Sequence, residues 1–270
     1  RAGEKGQCAS DGRCPGAPSP HPTKPPKSCP SVQDVGPFVK WLGAPFSALA
    51  QRLPAAMLGA MTNYPKLELT YFDFDGGRGE PARLAFFIGD IPFTDNRISF
   101  AEFQEQRLSF PFARVPVLKV DDVTVTESSG IYRYAGKLAG LYPEDALQAA
   151  RCDEVLGAVE DAAALVMTTF SITDEDQKKA AREGLATDQL PLILSRLEKR
   201  LGGEQWFVED RLTIADLRVF VWLGALTSGM LDHIPTDLAD KHAPEIAALG
   251  KRVASHEKVA AYYTQRKAQR

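Results

Sequence analysis

The stretch from Leu67 to Leu84, LELTYFDFDGGRGEPARL, constrains this chain more than any other. Leu67, Leu69 and Tyr71 alternate with Glu68, Thr70 and Phe72, a period of two that predicts a short strand. Asp75, Gly76 and Gly77 end the alternation and predict a turn. A helix is expected from about Gly79. Pro81 suits its first turn, where a missing N–H would have had no partner, and Ala82, Leu84, Ala85, Phe86 and Ile88 continue an apolar-rich segment. Tyr71 therefore stands at a strand exit facing the start of a helix, a place where polar chemistry is often built in α/β folds.

The pattern continues downstream. Ile91-Pro92 marks a turn, Phe93 to Ile98 alternates weakly as a second strand, and Phe100 to Leu108 reads as a short helix or irregular segment. Val115 to Val120 predicts a buried strand with Pro near its start, and Asp121-Asp122 a hairpin turn into Val123, Thr124 and Val125. Glu127 and Ser128 precede a helical run through Ile131, Tyr134, Ala135 and Leu138, closed by Gly140, with Ser128 expected as its N-cap. Strands alternating with helices predict a small α/β domain over residues 64–141.

From Pro143 the signals are helical. Pro143, Glu144 and Asp145 suit a helix start, and Val155, Val159, Ala162, Ala163 and Val166 follow helical spacing. Leu190, Ile193, Leu194, Leu197 and Leu201 line one face of a second helix stopped by Gly202-Gly203. Thr213 and Asp216 form a capping-box pattern ahead of an apolar helix through Leu217, Val221 and Leu226. Residues 142–270 are expected to be all helical.

The Tyr71-Phe72 strand end, the turn carrying Arg78 and the following Glu80 resemble the start of a cytosolic glutathione transferase of the sigma-like, tyrosine type. The Thr213–Asp216 helix start resembles one in the helical domain of the same family. The resemblance implies a thioredoxin-like, glutathione-binding α/β domain followed by an all-α domain. It implies an enzyme that conjugates the glutathione thiolate to small hydrophobic electrophiles, a detoxification role in the cytoplasm, and a homodimer. Glutathione would be a co-substrate, with no bound cofactor and no metal. Two alternatives from the same resemblance are a glutathione-dependent isomerase, such as the prostaglandin synthase branch of the sigma class, and a non-catalytic relative that kept the fold as a binding protein.

The residues divide accordingly. Read alone, Tyr71 is a half-buried strand-end aromatic that packs; the resemblance makes it the catalytic hydroxyl. Arg78 lies in a loop one residue longer than the commonest form. Ser128 caps a helix whose free N–H groups and partial positive charge suit a carboxylate, and the resemblance implies that Glu127 and Ser128 bind the γ-glutamyl end of glutathione. Sigma-like members usually carry Gln in place of Glu127. Val115-Pro116 reads as a strand edge, and the resemblance implies a cis bond whose preceding backbone pairs with the cysteinyl part. Arg107 and Arg114 read as solvated loop cations; the resemblance places Arg107 at the glycyl carboxylate and Phe103 where sigma-like members have Trp, without the indole donor. Glu160 and Asp161 read as the solvent face of a helix, and the resemblance sends Asp161 across a dimer toward the glutathione amine of the other subunit. Val166, Met167 and Phe170 are candidates for the electrophile pocket beside the plainer reading of core packing.

Composition bounds the rest. With a net charge of −3 and a pI near 5.9, the chain lacks the basic balance of a nucleic-acid partner. No apolar run approaches the roughly 18 residues a membrane helix needs. Cys8, Cys14, Cys29 and Cys152 have no metal spacing, and a reducing compartment is the simpler reading. No Cys lies between Leu67 and Leu84, which argues against a glutaredoxin-like or omega-type thiol mechanism. Residues 1–62 are expected to be an extension, disordered and rich in Pro, Gly and Ser over 1–34 and acid-poor from Pro37 to Lys66. That segment reads either as an organelle-targeting leader or as a linker or upstream sequence ahead of a start at Met57 or Met61. The opening Arg predicts a fragment or processed product.

Overall fold

Leu67–Phe72 forms a strand, β1, that buries Leu67, Leu69, Thr70 and Tyr71 inside a four-stranded sheet in the computed structural model, which describes residues 64–269. The expected extension at 1–62, including Cys8, Cys14 and Cys29, lies outside the described residues. Strand β1 pairs in parallel with β2 (Thr94–Ile98) and antiparallel with β3 (Val117–Val120), which turns back into β4 (Val123–Thr126). The order is β2-β1-β3-β4. A parallel pair needs a crossover. Helix α1 (Glu80–Ile88) supplies it, burying Ala82, Leu84, Ala85 and Phe86 in the core. Helix α2 (Phe100–Gln106) starts at a capping box between Ser99 and Glu102 and buries nothing. Helix α3 (Ser128–Leu138) packs Ile131, Tyr132 and Ala135 inward.

Beyond residue 145 the described chain is helical. Helix α4 (Ala146–Thr168) is capped by Asp145, whose carboxylate accepts from the N–H groups of Leu147 and Gln148, so Pro143 and Glu144 stand ahead of the helix rather than in its first turn. Helices α5 (Glu175–Gly184) and α6 (Leu190–Leu201) are joined by a π-helical turn, and Gly202 closes α6 at φ +68°. Helix α7 (Ile214–Thr227) is buried on nearly every side, as a central helix must be. Its capping box is complete: Asp216 accepts from the Thr213 N–H at 2.8 Å, the Thr213 hydroxyl at 2.7 Å and the Phe207 N–H at 3.1 Å. Helices α8 (Leu238–His242), α9 (Pro244–Ser255) and α10 (Glu257–Ala268) complete the order.

One apolar core runs through both the sheet and the helices, from Leu69, Phe86 and Leu118 to Leu156, Leu194 and Trp222. The start of α7 is tied to the end of the α/β portion by the Ile214 N–H donating to Leu141 at 2.8 Å. Gly136 permits this approach, since a Cβ there would sit 3.3 Å from the Ile214 side chain. Among the described residues no helix is long and apolar enough to cross a membrane.

Candidate functional site

Tyr71 is the last core-facing residue of β1, and the loop that follows is shaped around its ring. The side chain is buried, with the residue 6% exposed. A Cβ on Gly77, at φ +66°, would lie 2.6 Å from the Tyr71 hydroxyl, and one on Gly79 would lie 2.5 Å from the ring. Both glycines are needed where they stand, one for its left-handed backbone and both for the close approach. Phe74 meets the Tyr71 ring edge-on at 5.7 Å, and the Arg83 guanidinium lies over it at 5.6 Å.

The Tyr71 oxygen accepts the Arg78 backbone N–H at 3.0 Å, and among the described residues nothing accepts its proton. Burial raises its pKa, against the lowering pull of the Arg78 N–H and the charges of Arg78, Arg83 and Arg218. The phenol therefore stays protonated at neutral pH and keeps its proton available to donate.

Arg78 is fixed on every side. Its carbonyl accepts the Tyr132 hydroxyl at 2.9 Å, and its Nε donates to Glu160 at 2.8 Å. The other Glu160 oxygen takes Nε of Arg218, also at 2.8 Å. Burial alone would raise the Glu160 carboxyl, but the Arg218 charge and the Arg78 hydrogen bond outweigh it and hold it below the ordinary carboxylate range. The reading of Glu160 as solvent face is thus corrected: it turns inward between two arginines, while Asp161 is exposed on α4. The physical reason lies outside the helix, in cations 82 and 58 residues away in sequence.

The sheet register brings three further elements to the same end. Thr70 pairs with Val117 and Val117 with Thr126, so the entry to β3 lies beside the exits of β1 and β4. The Val115-Pro116 bond at that entry is cis. At the exit of β4, the helix cap is Glu127 and not Ser128: the Glu127 carboxylate accepts from the N–H groups of Ser129 (2.9 Å) and Gly130 (3.3 Å), and Ser128 becomes the first helical residue. An acid with one more methylene than Asp can reach these donors because Glu127 sits at φ +85°, a backbone most side chains avoid. Such a conformation costs on the order of 1–3 kcal/mol and clusters at functional positions. Ser128 is buried beneath it.

Phe103 spends its ring on an aromatic group, edge-on to Phe72 at 5.3 Å and stacked on Phe110 at 6.2 Å. Arg107 and Arg114 are exposed, and their guanidinium groups make no hydrogen bond or ion pair among the described residues. Val166 is buried in the core, whereas Met167 and Phe170 are exposed, Phe170 under the Arg182 guanidinium at 5.0 Å. Burial pushes the Cys152 thiol up to about 12, which makes it inert. Tyr132 and Arg218 were not legible as site residues, although the spacing of Tyr132 one turn after Ser128 was available. Among the described residues no group of side chains could hold a metal ion.

Residues 160–266 match the family model of the glutathione S-transferase C-terminal domain. The hematopoietic prostaglandin D synthase of Gallus gallus is 31% identical over 202 residues, covering 75% of this chain and 97% of that one. Glutathione S-transferase 1 of Ascaris suum is 28% identical over 203 residues, covering 72% and 98%. The solved prostaglandin synthase D of Nilaparvata lugens superposes with a TM-score of 0.68 at 29% identity, covering 75% of this chain and 98% of that one. On this fold, this strand-end tyrosine and these relatives, the chain belongs to the cytosolic glutathione transferase family, in its sigma-like branch.

Proposed function

We propose that this glutathione transferase joins the sulfur of glutathione to an electrophilic carbon of a small hydrophobic molecule, with the Tyr71 phenol holding the sulfur as a thiolate. A free thiol has a pKa of about 8.5, so only a few per cent is ionised at neutral pH. A hydrogen bond to a charged group contributes about 1.5–3 kcal/mol. At about 1.4 kcal/mol per pKa unit, one phenolic donor lowers the thiol by roughly one to two units. The observation that carries the reading is the Tyr71 hydroxyl itself: its oxygen is anchored by the Arg78 N–H and its proton has no acceptor among the described residues. Such a donor is oriented before the substrate arrives, which is what electrostatic catalysis requires.

In the reaction the thiolate forms a C–S bond and the leaving group departs with its electron pair, as chloride from a chlorinated aromatic. The phenol keeps its proton throughout. Glutathione would lie along the convergent ends of β1, β3 and β4. Its cysteinyl part would pair with the Val115 backbone ahead of Pro116, and its γ-glutamyl carboxylate would meet Glu127-Ser128 at the start of α3. Arg107 would meet the glycyl carboxylate, with Arg114 and Phe103 as further contacts to glutathione. Asp161, exposed on α4, would reach the glutathione amine of a second subunit in a homodimer.

A glutathione-dependent isomerase is the second reading, favoured by the prostaglandin synthase names among the relatives. Product analysis separates the two. Conjugation of a chlorinated aromatic, with chloride release, supports the transferase. Rearrangement of a prostaglandin endoperoxide without conjugation supports the isomerase. Retention on immobilised glutathione with neither product would contradict both and leave a binding protein.

A further inference from the structure

The loop that presents Tyr71 is gripped from outside by the last helix of the chain. Arg266, near the end of α10, donates from Nη2 to Asp73 and from Nε to Asp75, each at 3.0 Å. These two carboxylates flank Phe74, whose ring lies against both the Tyr71 ring and Gly77. Arg97 on β2 joins them, with Nη1 3.5 Å from each carboxylate and 3.3 Å from the Phe74 carbonyl. Arg97 is itself aimed by Asp95 at 2.6 Å, and Asp95 also takes the buried Arg83 at 2.9 Å. The Arg266 side chain is only 14% exposed. The same helix carries a second tie to the α/β portion near its start, where Lys258 meets Asp90 at 2.6 Å, far from the loop.

We infer that Arg266 is a positioning residue for the thiolate-stabilising phenol: by fixing Asp73 and Asp75 it sets the loop in which Gly77 and the Arg78 N–H orient the Tyr71 hydroxyl. One guanidinium spans two carboxylates in a fork that a lysine reproduces only as a point charge. Asp75 is largely shielded from water with Arg266, whereas Asp73 is 60% exposed, so the Arg266–Asp75 contact is the stronger hold on the loop. The inference rests on the proposed role of Tyr71, and its test is built to separate the two.

The experiment is an ultraviolet titration of the thiolate of bound glutathione, with steady-state kinetics alongside, in the full chain. Arg266→Ala is expected to raise the bound thiol pKa by about half a unit, a roughly threefold loss of thiolate at pH below it. It is expected to lower kcat while leaving KM for glutathione within twofold or so, since the groups that would bind the tripeptide are untouched. Arg266→Lys should recover part of the shift. Asp73→Asn with Asp75→Asn should repeat it from the other side of the pair, even if Arg266→Ala folds poorly. Lys258→Ala loosens the same helix without touching the loop and should leave the thiol pKa unchanged. A thiol pKa that moves in Tyr71→Phe but not in Arg266→Ala or the double Asn variant overturns the positioning role alone. A pKa that moves equally in Lys258→Ala also overturns it, because general loosening would then explain the effect. If Tyr71→Phe moves nothing, the reading beneath it falls as well.

Discussion

Around Tyr71 the polar groups are held by other parts of the chain, whereas the segment from Phe103 to Arg114 puts two guanidinium groups into solvent with no partner among the described residues. On the first side, Arg78 alone is fixed at its N–H, its carbonyl and its guanidinium. On the second, α2 buries no residue and Phe112 is 81% exposed. The contrast fits a division of labour. A donor that must stabilise charge works best when already oriented. Side chains that only bind a carboxylate can be ordered by the ligand, with the entropy cost appearing in affinity.

Breaking the ordered side should cost the most. Tyr71→Phe removes the only donor proposed for the sulfur, and kcat/KM for conjugation should fall about tenfold or more at neutral pH, in line with one to two pKa units of lost thiolate. Gly77→Ala forces a Cβ to within 2.6 Å of the Tyr71 oxygen at a positive φ. It should lower kcat by about tenfold and stability by about 1–3 kcal/mol, read by kinetics and thermal melting. Both effects belong to the first region, and a Gly77→Ala enzyme of full activity would show that the loop is not closely fitted to the Tyr71 ring.

Glu160→Gln should cost less and carry a pH signature. The folded carboxyl is held below its ordinary value, so its contribution is complete above the unfolded value of about 4.3 and is lost as pH falls through the lower folded value. Wild-type stability should therefore decline on that acid limb more steeply than the variant's. At pH 7 the variant should be the less stable of the two, by chemical denaturation. The smallest effect falls on the exposed side. Arg107→Ala should raise KM for glutathione by about threefold, the scale of one exposed charge contact, with kcat and the bound thiol pKa unchanged. A fall in kcat instead would blur the contrast between the two regions.

Much of this was legible in the chain because it is local. Period-two alternation marked β1, the spacing of Leu190, Leu194, Leu197 and Leu201 marked α6, and Thr213 with Asp216 marked the start of α7. The cap of α3 was misplaced by one residue because Ser is the better cap by type, and nothing in the sequence announces the φ of +85° that lets Glu127 take its place. Glu160 and Asp161 are adjacent acids that local spacing treats alike. Only Arg78 and Arg218, brought in by the fold, decide which turns inward. Arg266 carries no local signal at all, since a basic C-terminal run reads as solvated until the loop it meets is placed.

Titrating the thiol of bound glutathione in complexes with the wild-type protein and with Tyr71→Phe shows whether the Tyr71 phenol lowers its pKa. The wild-type value is expected about one to two units below the free thiol's 8.5, with a return toward it in the variant. Equal values in the two proteins would contradict it.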